Sequence, residues 1–317
     1  MKIVNLDGYT TNPGDLSWDW LGNYGEYKGY DRTAPEQIVE RAKGADILII
    51  NKSVITAQML ENLPNLKFVG LQSTGYNVID CKAARARNIT VSNIPAYSTT
   101  GVAQLVFAFI LQVADNVSLH SDAVHNGEWC ECPDFCFWKT PLTELDGKTI
   151  GIIGFGSIGR RVAQIANAFG MNVEVFTTHP KPDEYKNVNF VDFDTLLSDS
   201  DFITCHCPLT EKTENLIDKN AIDKMRKNAV VINTSRGPVV NDEDLADALN
   251  SGKIKAAGVD VLRVEPPEKE NPLLHAKNCY ITPHIAWAAY ETRARLLGIL
   301  EQNIKAYIDG NPINVVN

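Results

Sequence analysis

Ile150-Gly151-Ile152-Ile153-Gly154-Phe155-Gly156-Ser157-Ile158-Gly159 is a short apolar run that passes directly into G-x-G-x-x-G. The run reads as a buried strand and the residues after the glycines as a helix. Ile158, Val162, Ile165, Ala166 and Phe169 recur at helical spacing, and Gly170 offers a C-terminal stop. Strand, glycine turn and helix in that order make a cradle for pyrophosphate. Gly154 permits the tight turn, Gly156 lets the backbone approach the anion, and Gly159 lets the helix pack close to the strand. The free N–H groups and positive dipole at the start of the helix then hold the charge.

Working outward, the same alternation of strand and helix continues on both sides. Val173–Phe176, Phe202–His206, Ala229–Asn233, Ala256–Val261 and Tyr280–Ile281 come next as strands, so six strands fit one doubly wound nucleotide-binding domain. Upstream, Lys2–Leu6, Ala45–Asn51, Lys67–Gln72 and Ile89–Ser92 read as strands, with Pro35–Lys43 and Ala57–Leu63 as helices between them. Strands that alternate with helices imply parallel sheets covered on both faces, hence an α/β protein with two such domains. One long helix, about Gly101 to His125, joins the blocks, and another, Tyr290–Ile308, comes after the last strand. The tail Pro312–Val316 is expected to return to the first domain. The expected division is 1–99 with 288–317, and 100–287, with a cleft between the two.

Dinucleotides are told apart at the end of the strand after the glycine turn, where an acid binds the ribose 2′-hydroxyl and repels a 2′-phosphate. Eighteen residues beyond Gly159 stands Thr177, in Phe176-Thr177-Thr178-His179-Pro180-Lys181, and the nearest acid, Glu174, falls inside the strand. The barrier to NADP is missing, so the expected cofactor is NAD(H) or NADP(H), with measurable use of NADPH.

Three polar residues stand just beyond late strands, where ligands gather in open α/β sheets: Arg236, Glu265 and His284. Such a set offers a proton donor and a grip on an anionic ligand. An imidazole ordinarily titrates near neutrality, and general acid–base catalysis contributes about 10²–10⁴-fold. A carboxylate bonded to that imidazole fixes its tautomer. A guanidinium offers a planar fork for carboxylate and carbonyl oxygen.

These motifs carry a resemblance over almost the full length. Gly154–Gly159, Cys205-His206-Cys207-Pro208-Leu209-Thr210, Asn233-Thr234-Ser235-Arg236-Gly237, Asp260 to Pro266 and Thr282-Pro283-His284-Ile285-Ala286-Trp287 together resemble the D-isomer-specific 2-hydroxyacid dehydrogenase family. Asn12-Pro13-Gly14-Asp15 and His284–Trp287 look most like its glycerate dehydrogenase, or hydroxypyruvate reductase, branch. The resemblance implies a Rossmann nucleotide-binding domain plus a flavodoxin-like substrate domain, and makes Arg236, Glu265 and His284 the catalytic set. It also implies that Ser157 and Ile158 lie under the pyrophosphate and that Asp260 faces the nicotinamide carboxamide. Cys207, Pro208, Thr234 and Ser235 would line the adenosine and ribose side, with Thr177 beyond them. Ser73-Thr74-Gly75-Tyr76-Asn77 resembles the substrate-carboxylate loop, Thr74 lying towards the cofactor. This chain reads Gly75-Tyr76-Asn77-Val78 where Gly-Val-Asp-Asn is commoner, so Tyr76 would recontour the pocket.

Other classes fit less well. A formal net charge of −9 and the lack of a basic stripe argue against a nucleic-acid partner; Arg85 with Arg87 and Arg160 with Arg161 read as solvated helix faces. Val102–Val113 is interrupted by Gln104 and Gln112 and cannot span a bilayer, and Met1–Asp7 lacks a signal-peptide layout. A cytoplasmic protein with reduced thiols is expected from seven cysteines without an export signal. Cys130, Cys132 and Cys136 have no usual zinc spacing, so no metal is expected. His206 reads as the end of a strand. The aromatics from Trp129 to Trp138 suit an interface, and by resemblance a homodimer through the nucleotide domains is expected. A formate dehydrogenase would carry Gln where Glu265 stands. An NAD(H)-binding corepressor of the same fold is the remaining alternative to a dehydrogenase acting on small 2-oxo and 2-hydroxy acids.

Overall fold

The computed structural model describes residues 1–317 and divides into two compact units, 1–98 with 287–317, and 99–286. Each seam lies one residue before the expected position.

The first unit begins with β1 (Lys2–Asn5) and β2 (Glu26–Gly29), followed by α1 (Ile38–Ala42), β3 (Ile47–Ile50), α2 (Ala57–Glu61), β4 (Phe68–Leu71), α3 (Cys81–Ala86) and β5 (Thr90–Ser92). Its parallel sheet runs β2-β1-β3-β4-β5, the flavodoxin-like order. Ile47–Ile50 and Phe68–Leu71 are buried throughout, as strands covered on both faces must be. Strand β2 leaves no apolar signal in the sequence because it is an edge: Glu26, Lys28 and Gly29 are exposed, and only β1 pairs with it.

The second unit carries α4 (Thr99–Asp115), α5 (Val117–His125), β6 (Thr149–Ile153), α6 (Ser157–Ala168), β7 (Asn172–Phe176), β8 (Asn189–Phe190), α7 (Phe193–Asp199), β9 (Phe202–Cys205), α8 (Lys219–Lys224), β10 (Val230–Asn233), α9 (Asp242–Ser251), β11 (Ala256–Val259) and β12 (Cys279–Ile281). The sheet order is β12-β11-β10-β9-β6-β7-β8, all parallel. Counted from β6, the first six strands take the Rossmann order 3-2-1-4-5-6, and β12 adds a seventh. Six strands were expected; the extra one is the two-residue edge β8, too short to leave an apolar run. The order reverses between β6 and β9, where ligands of such sheets bind.

The expected helix from Gly101 to His125 is two helices, bent by 53° at Asn116. Asn116 takes a left-handed backbone, φ 47°, and its side chain meets Tyr280 Oη at 3.2 Å and Thr140 Oγ1 at 3.1 Å. Asparagine tolerates that conformation, so a helical hydrophobic pattern runs through a real break. No single helix is long and apolar enough to cross a membrane.

The final helix, α10 (Tyr290–Ile308), returns to the first unit and packs Leu296, Leu297, Leu300 and Ile304 against Phe68 and Ile49. A Cβ on Gly70 would stand 2.8 Å from Leu300 Cδ1, so glycine sets that approach. The tail closes on β5: Val316 N donates to Val91 O at 2.9 Å and Asn93 N to Asn314 O at 3.0 Å.

Candidate active site

The glycine turn comes directly after β6, as its sequence requires. Gly154 has φ +94°, and a Cβ there would stand 2.7 Å from the carbonyl of His206, so the turn lies directly against the end of β9. A Cβ on Gly159 would meet Gly154 O at 2.3 Å, which is the close helix–strand packing expected. A Cβ on Gly156, by contrast, would meet nothing within 4 Å. Open space there, beside the unpaired N–H groups at the start of α6, fits a pyrophosphate.

Two polar atoms near the switch point are closed off from solvent and have no protein partner: His206 Nδ1 and Thr234 Oγ1. Both stand just past strand ends that the sequence assigned to the adenosine and ribose side. Burial lowers the His206 pKa from 6.5 to about 3, so the ring is neutral, with Nε2 2.9 Å from Thr204 Oγ1. The residue keeps some exposure at its rim, yet it is the enclosed ring nitrogen that sets its charge. Burial also raises the Cys207 thiol. These features fit an organic dinucleotide, whose hydroxyls and ring nitrogens supply partners to such atoms.

Arg236, Glu265 and His284 stand after β10, β11 and β12, three adjacent parallel strands whose C-terminal ends lie side by side, about 4.8 Å apart per strand. Asn233, 1% exposed, shapes the turn after β10: its amide donates to Arg236 O at 2.8 Å and its Oδ1 accepts from Ser235 N and Oγ. The exposed Arg236 donates through Nη1 to Ser235 O at 2.7 Å, which leaves the rest of its fork for a ligand. Gly237 brings this turn onto the next one, since a Cβ there would stand 2.0 Å from the carbonyl of Leu262.

Beyond β11, Glu265 Oε1 accepts from Leu262 N at 3.1 Å and Oε2 lies 2.6 Å from His284 Nδ1. A carboxylate only accepts, so Nδ1 carries the proton and Nε2 is the free end of the ring. His284 has a left-handed backbone, φ 55°, held by bonds from its N–H to Asp260 O at 2.8 Å and Thr282 O at 2.9 Å. Strained backbone of this kind clusters at functional sites.

Asp260, expected to face the nicotinamide carboxamide, is 1% exposed, and its carboxylate accepts from Thr282 Oγ1 at 2.6 Å, Ile285 N at 2.8 Å and Ala286 N at 2.9 Å. Burial raises its pKa, against those hydrogen bonds. Asp260 therefore holds the loop that carries His284. Sequence reasoning missed Asn233, Gly237 and Thr282 as positioning residues; the one available signal was a glycine wedged between Arg236 and Pro238.

In the first unit, the loop after β4 is ordered by its own bonds. Ser73 Oγ donates to Gly75 O, Thr74 Oγ1 to Ile94 O and Asn93 Nδ2 to Thr74 O, each at 2.7 Å, while Tyr76 is half exposed. Within β7, Glu174 lies near Asp199 and Arg226 with its carboxyl raised by burial; Thr177 stands just past the strand end.

The chain matches the sequence pattern described as "D-isomer specific 2-hydroxyacid dehydrogenase, NAD binding domain" over residues 107–286. It is 47% identical to a hydroxypyruvate reductase of Blautia hydrogenotrophica, with 100% of both chains covered. It is 40% identical to a glycerate dehydrogenase of Methylorubrum extorquens, covering 92% of each. Among solved structures, an acyclic imino acid reductase in complex with NADPH and D-Arg superposes with a TM-score of 0.86 at 32% identity, covering 100% of both.

Proposed function

Because the chain belongs to the D-isomer-specific 2-hydroxyacid dehydrogenase family, we propose that it reduces a small 2-oxo acid to the D-2-hydroxy acid, hydroxypyruvate or glyoxylate foremost. Bound NADH or NADPH supplies the hydride for C2. The observation that carries the reading is the 2.6 Å contact of His284 with Glu265 on the turn beside that of Arg236.

Arg236 binds the carboxylate and carbonyl oxygen through the nitrogens its main-chain contact leaves free, and each charged hydrogen bond contributes about 1.5–3 kcal/mol. His284 holds a proton on Nε2 at the carbonyl oxygen and releases it as that oxygen gains charge. Glu265 accepts the hydrogen bond from Nδ1 and keeps the ring aimed. Asp260 holds the Thr282 hydroxyl before His284 and the Ile285 and Ala286 N–H groups after it, and faces the nicotinamide carboxamide. Gly154, Gly156, Ser157, Ile158 and Gly159 hold the pyrophosphate, and Thr177, Cys207, Pro208, Thr234 and Ser235 the adenosine side. In the first unit Ser73, Gly75 and Tyr76 serve the substrate and Thr74 the cofactor. The regulatory alternative has no support among the relatives.

The finer expectations belong to the same reading. Homodimerisation is supported by exposed Trp129, Phe135, Trp138 and Leu142 on one segment, Phe135 at 89% exposure. Light scattering at twice 35.0 kDa is expected, and a monomer mass refutes it. A reducing, cytoplasmic setting suits seven free cysteines. A panel of 2-oxo acids tests the activity: turnover of hydroxypyruvate or glyoxylate supports the reading. Dinucleotide binding with no turnover of any 2-oxo acid would favour a binding protein.

A further inference from the structure

Beyond α5 the chain folds into a compact loop that carries three of the seven cysteines, Cys130, Cys132 and Cys136. Cys130 N donates to Gly127 O at 3.0 Å, and Cys132 N to Trp129 O at 3.3 Å. Trp129 Nε1 then reaches across to Phe135 O at 3.0 Å and closes the loop. Inside it the Cys132 thiol donates to Cys136 O at 3.8 Å, so one sulfur lies against the backbone of the other cysteine. We propose that Cys132 and Cys136 form a modification site, a thiol pair that a peroxide closes into a reversible disulfide. The inference goes beyond the dehydrogenase reading and does not depend on it.

The pair differs from the other thiols in where it stands. Cys136 is exposed and Cys132 partly so, open to a small oxidant. Cys81, Cys205, Cys207 and Cys279 lie in or against the hydrophobic cores. Burial raises each of those four thiols and disfavours the thiolate, which is the reactive form. Cys130 is exposed too, yet it is Cys132 that the turn sets against Cys136. Pro133, Asp134 and Phe135 between them form a bend in which the proline fixes one φ, so little chain freedom is lost on closure. The Cα atoms of a disulfide stand about 4.4–6.8 Å apart, a range that a chain folding back between Cys132 and Cys136 reaches with a small adjustment.

The step balances with hydrogen peroxide as oxidant. The Cys136 thiolate attacks one peroxide oxygen, the O–O bond breaks, and the departing hydroxide takes up the thiol proton as water. Cys132 Sγ then attacks Sγ of the Cys136 sulfenic acid. The S–O bond breaks, and the second hydroxide leaves with the Cys132 proton as another water. Two thiols lose two electrons and the peroxide gains them. A dithiol reductant reverses the step by exchange through a mixed disulfide. Closure holds Phe135, 89% exposed, in a fixed loop.

The test treats the reduced protein, freed of reductant, with hydrogen peroxide and digests it with a protease that cuts before aspartate. A cut before Asp134 falls between the two cysteines, so the fragments on either side stay joined only through the new bond. The expected product is about 2 Da lighter than the reduced protein, and its two fragments separate when dithiothreitol is added. Cys132→Ser and Cys136→Ser should each abolish the link, and Cys130→Ser should keep it. Chymotrypsin cleavage after Phe135 should slow by about tenfold or more in the oxidised protein and recover on reduction. The same segment is proposed above to pair with a second copy, so the reaction is run at low and high protein concentration; the link in either sample supports the site. Sulfinic or sulfonic acids without a link, a link from Cys130 to Cys136, a bond between two chains, or no reaction at all overturns the proposal.

Discussion

Replacing Gly237 by alanine should disable the site without touching a catalytic side chain. An added Cβ stands 2.0 Å from the carbonyl carbon and oxygen of Leu262 and 2.4 Å from Arg263 N, all backbone atoms that cannot rotate away. Ordinary contact begins at 3.4 Å, so the turn after β10 and the turn after β11 must part by about 1.4 Å. Arg236 rides on the first turn and Glu265, with its bond to His284, on the second. A misplacement of about 1 Å costs on the order of 10²-fold in rate, or about 2.7 kcal/mol of transition-state stabilisation. Overpacking adds about 1–3 kcal/mol of lost stability. Steady-state kinetics with hydroxypyruvate, set beside NADPH binding by calorimetry, should show kcat/KM lower by about a hundredfold and a dissociation constant within about threefold. Gly298→Ala is the control: it lies inside α10 with nothing within 4 Å of its Cβ, and alanine there should stabilise by about 0.5–1 kcal/mol. A Gly237→Ala protein that keeps more than a third of kcat/KM refutes the claim that this contact sets the distance between the two turns.

His284→Gln should lower kcat by about 10²–10⁴-fold with cofactor affinity largely kept; more than a tenth of the normal rate at neutral pH counts against its role. His206 gives an acid sensitivity. Above about pH 6.5 the ring is neutral in both states; below it the unfolded chain takes a proton that the folded ring refuses until about pH 3, so stability falls with pH across that window. The loss reaches about 2 kcal/mol at pH 5, and urea unfolding at pH 7 and pH 5 should show it in the native protein and not in His206→Asn. Equal acid losses in the two proteins rule this out. Arg293, 7% exposed, forks onto Asp15 at 2.7 and 2.6 Å and also donates to Ala288 O and Thr11 O. Lysine cannot reproduce that fork, so Arg293→Lys should lower the Tm by roughly 5 °C, read by differential scanning calorimetry; an unchanged Tm refutes it.

The strands that carry the site were legible because each is a brief buried run of Ile, Val or Leu, and the same burial that hides them writes them into the sequence. Edges were not: Glu26–Gly29 and Asn189–Phe190 touch one neighbour each and need no apolar code. The break at Asn116 was hidden because a helix can bend while its hydrophobic stripe continues. Arg236, Glu265 and His284 were readable as residue types after strands. The loop bonds of Asp260 were not, since an acid's partners, here Thr282, Ile285 and Ala286, leave no mark in the sequence until the chain is folded.

What joins these residues is the strand order rather than their spacing along the chain. β10, β11 and β12 are consecutive in sequence and adjacent in the sheet, so three successive strand-to-loop exits deliver a guanidinium, a carboxylate and an imidazole to one edge. The glycine turn after β6 and the half-buried His206 after β9 stand at the point where the order reverses, farther along the same edge. Proton chemistry and anion binding are therefore set by one rigid sheet, and each is adjusted by its own loop. Exchange of Thr177 should then change dinucleotide binding while the His284–Glu265 pair stays as it is. Changes at Gly237 should do the reverse.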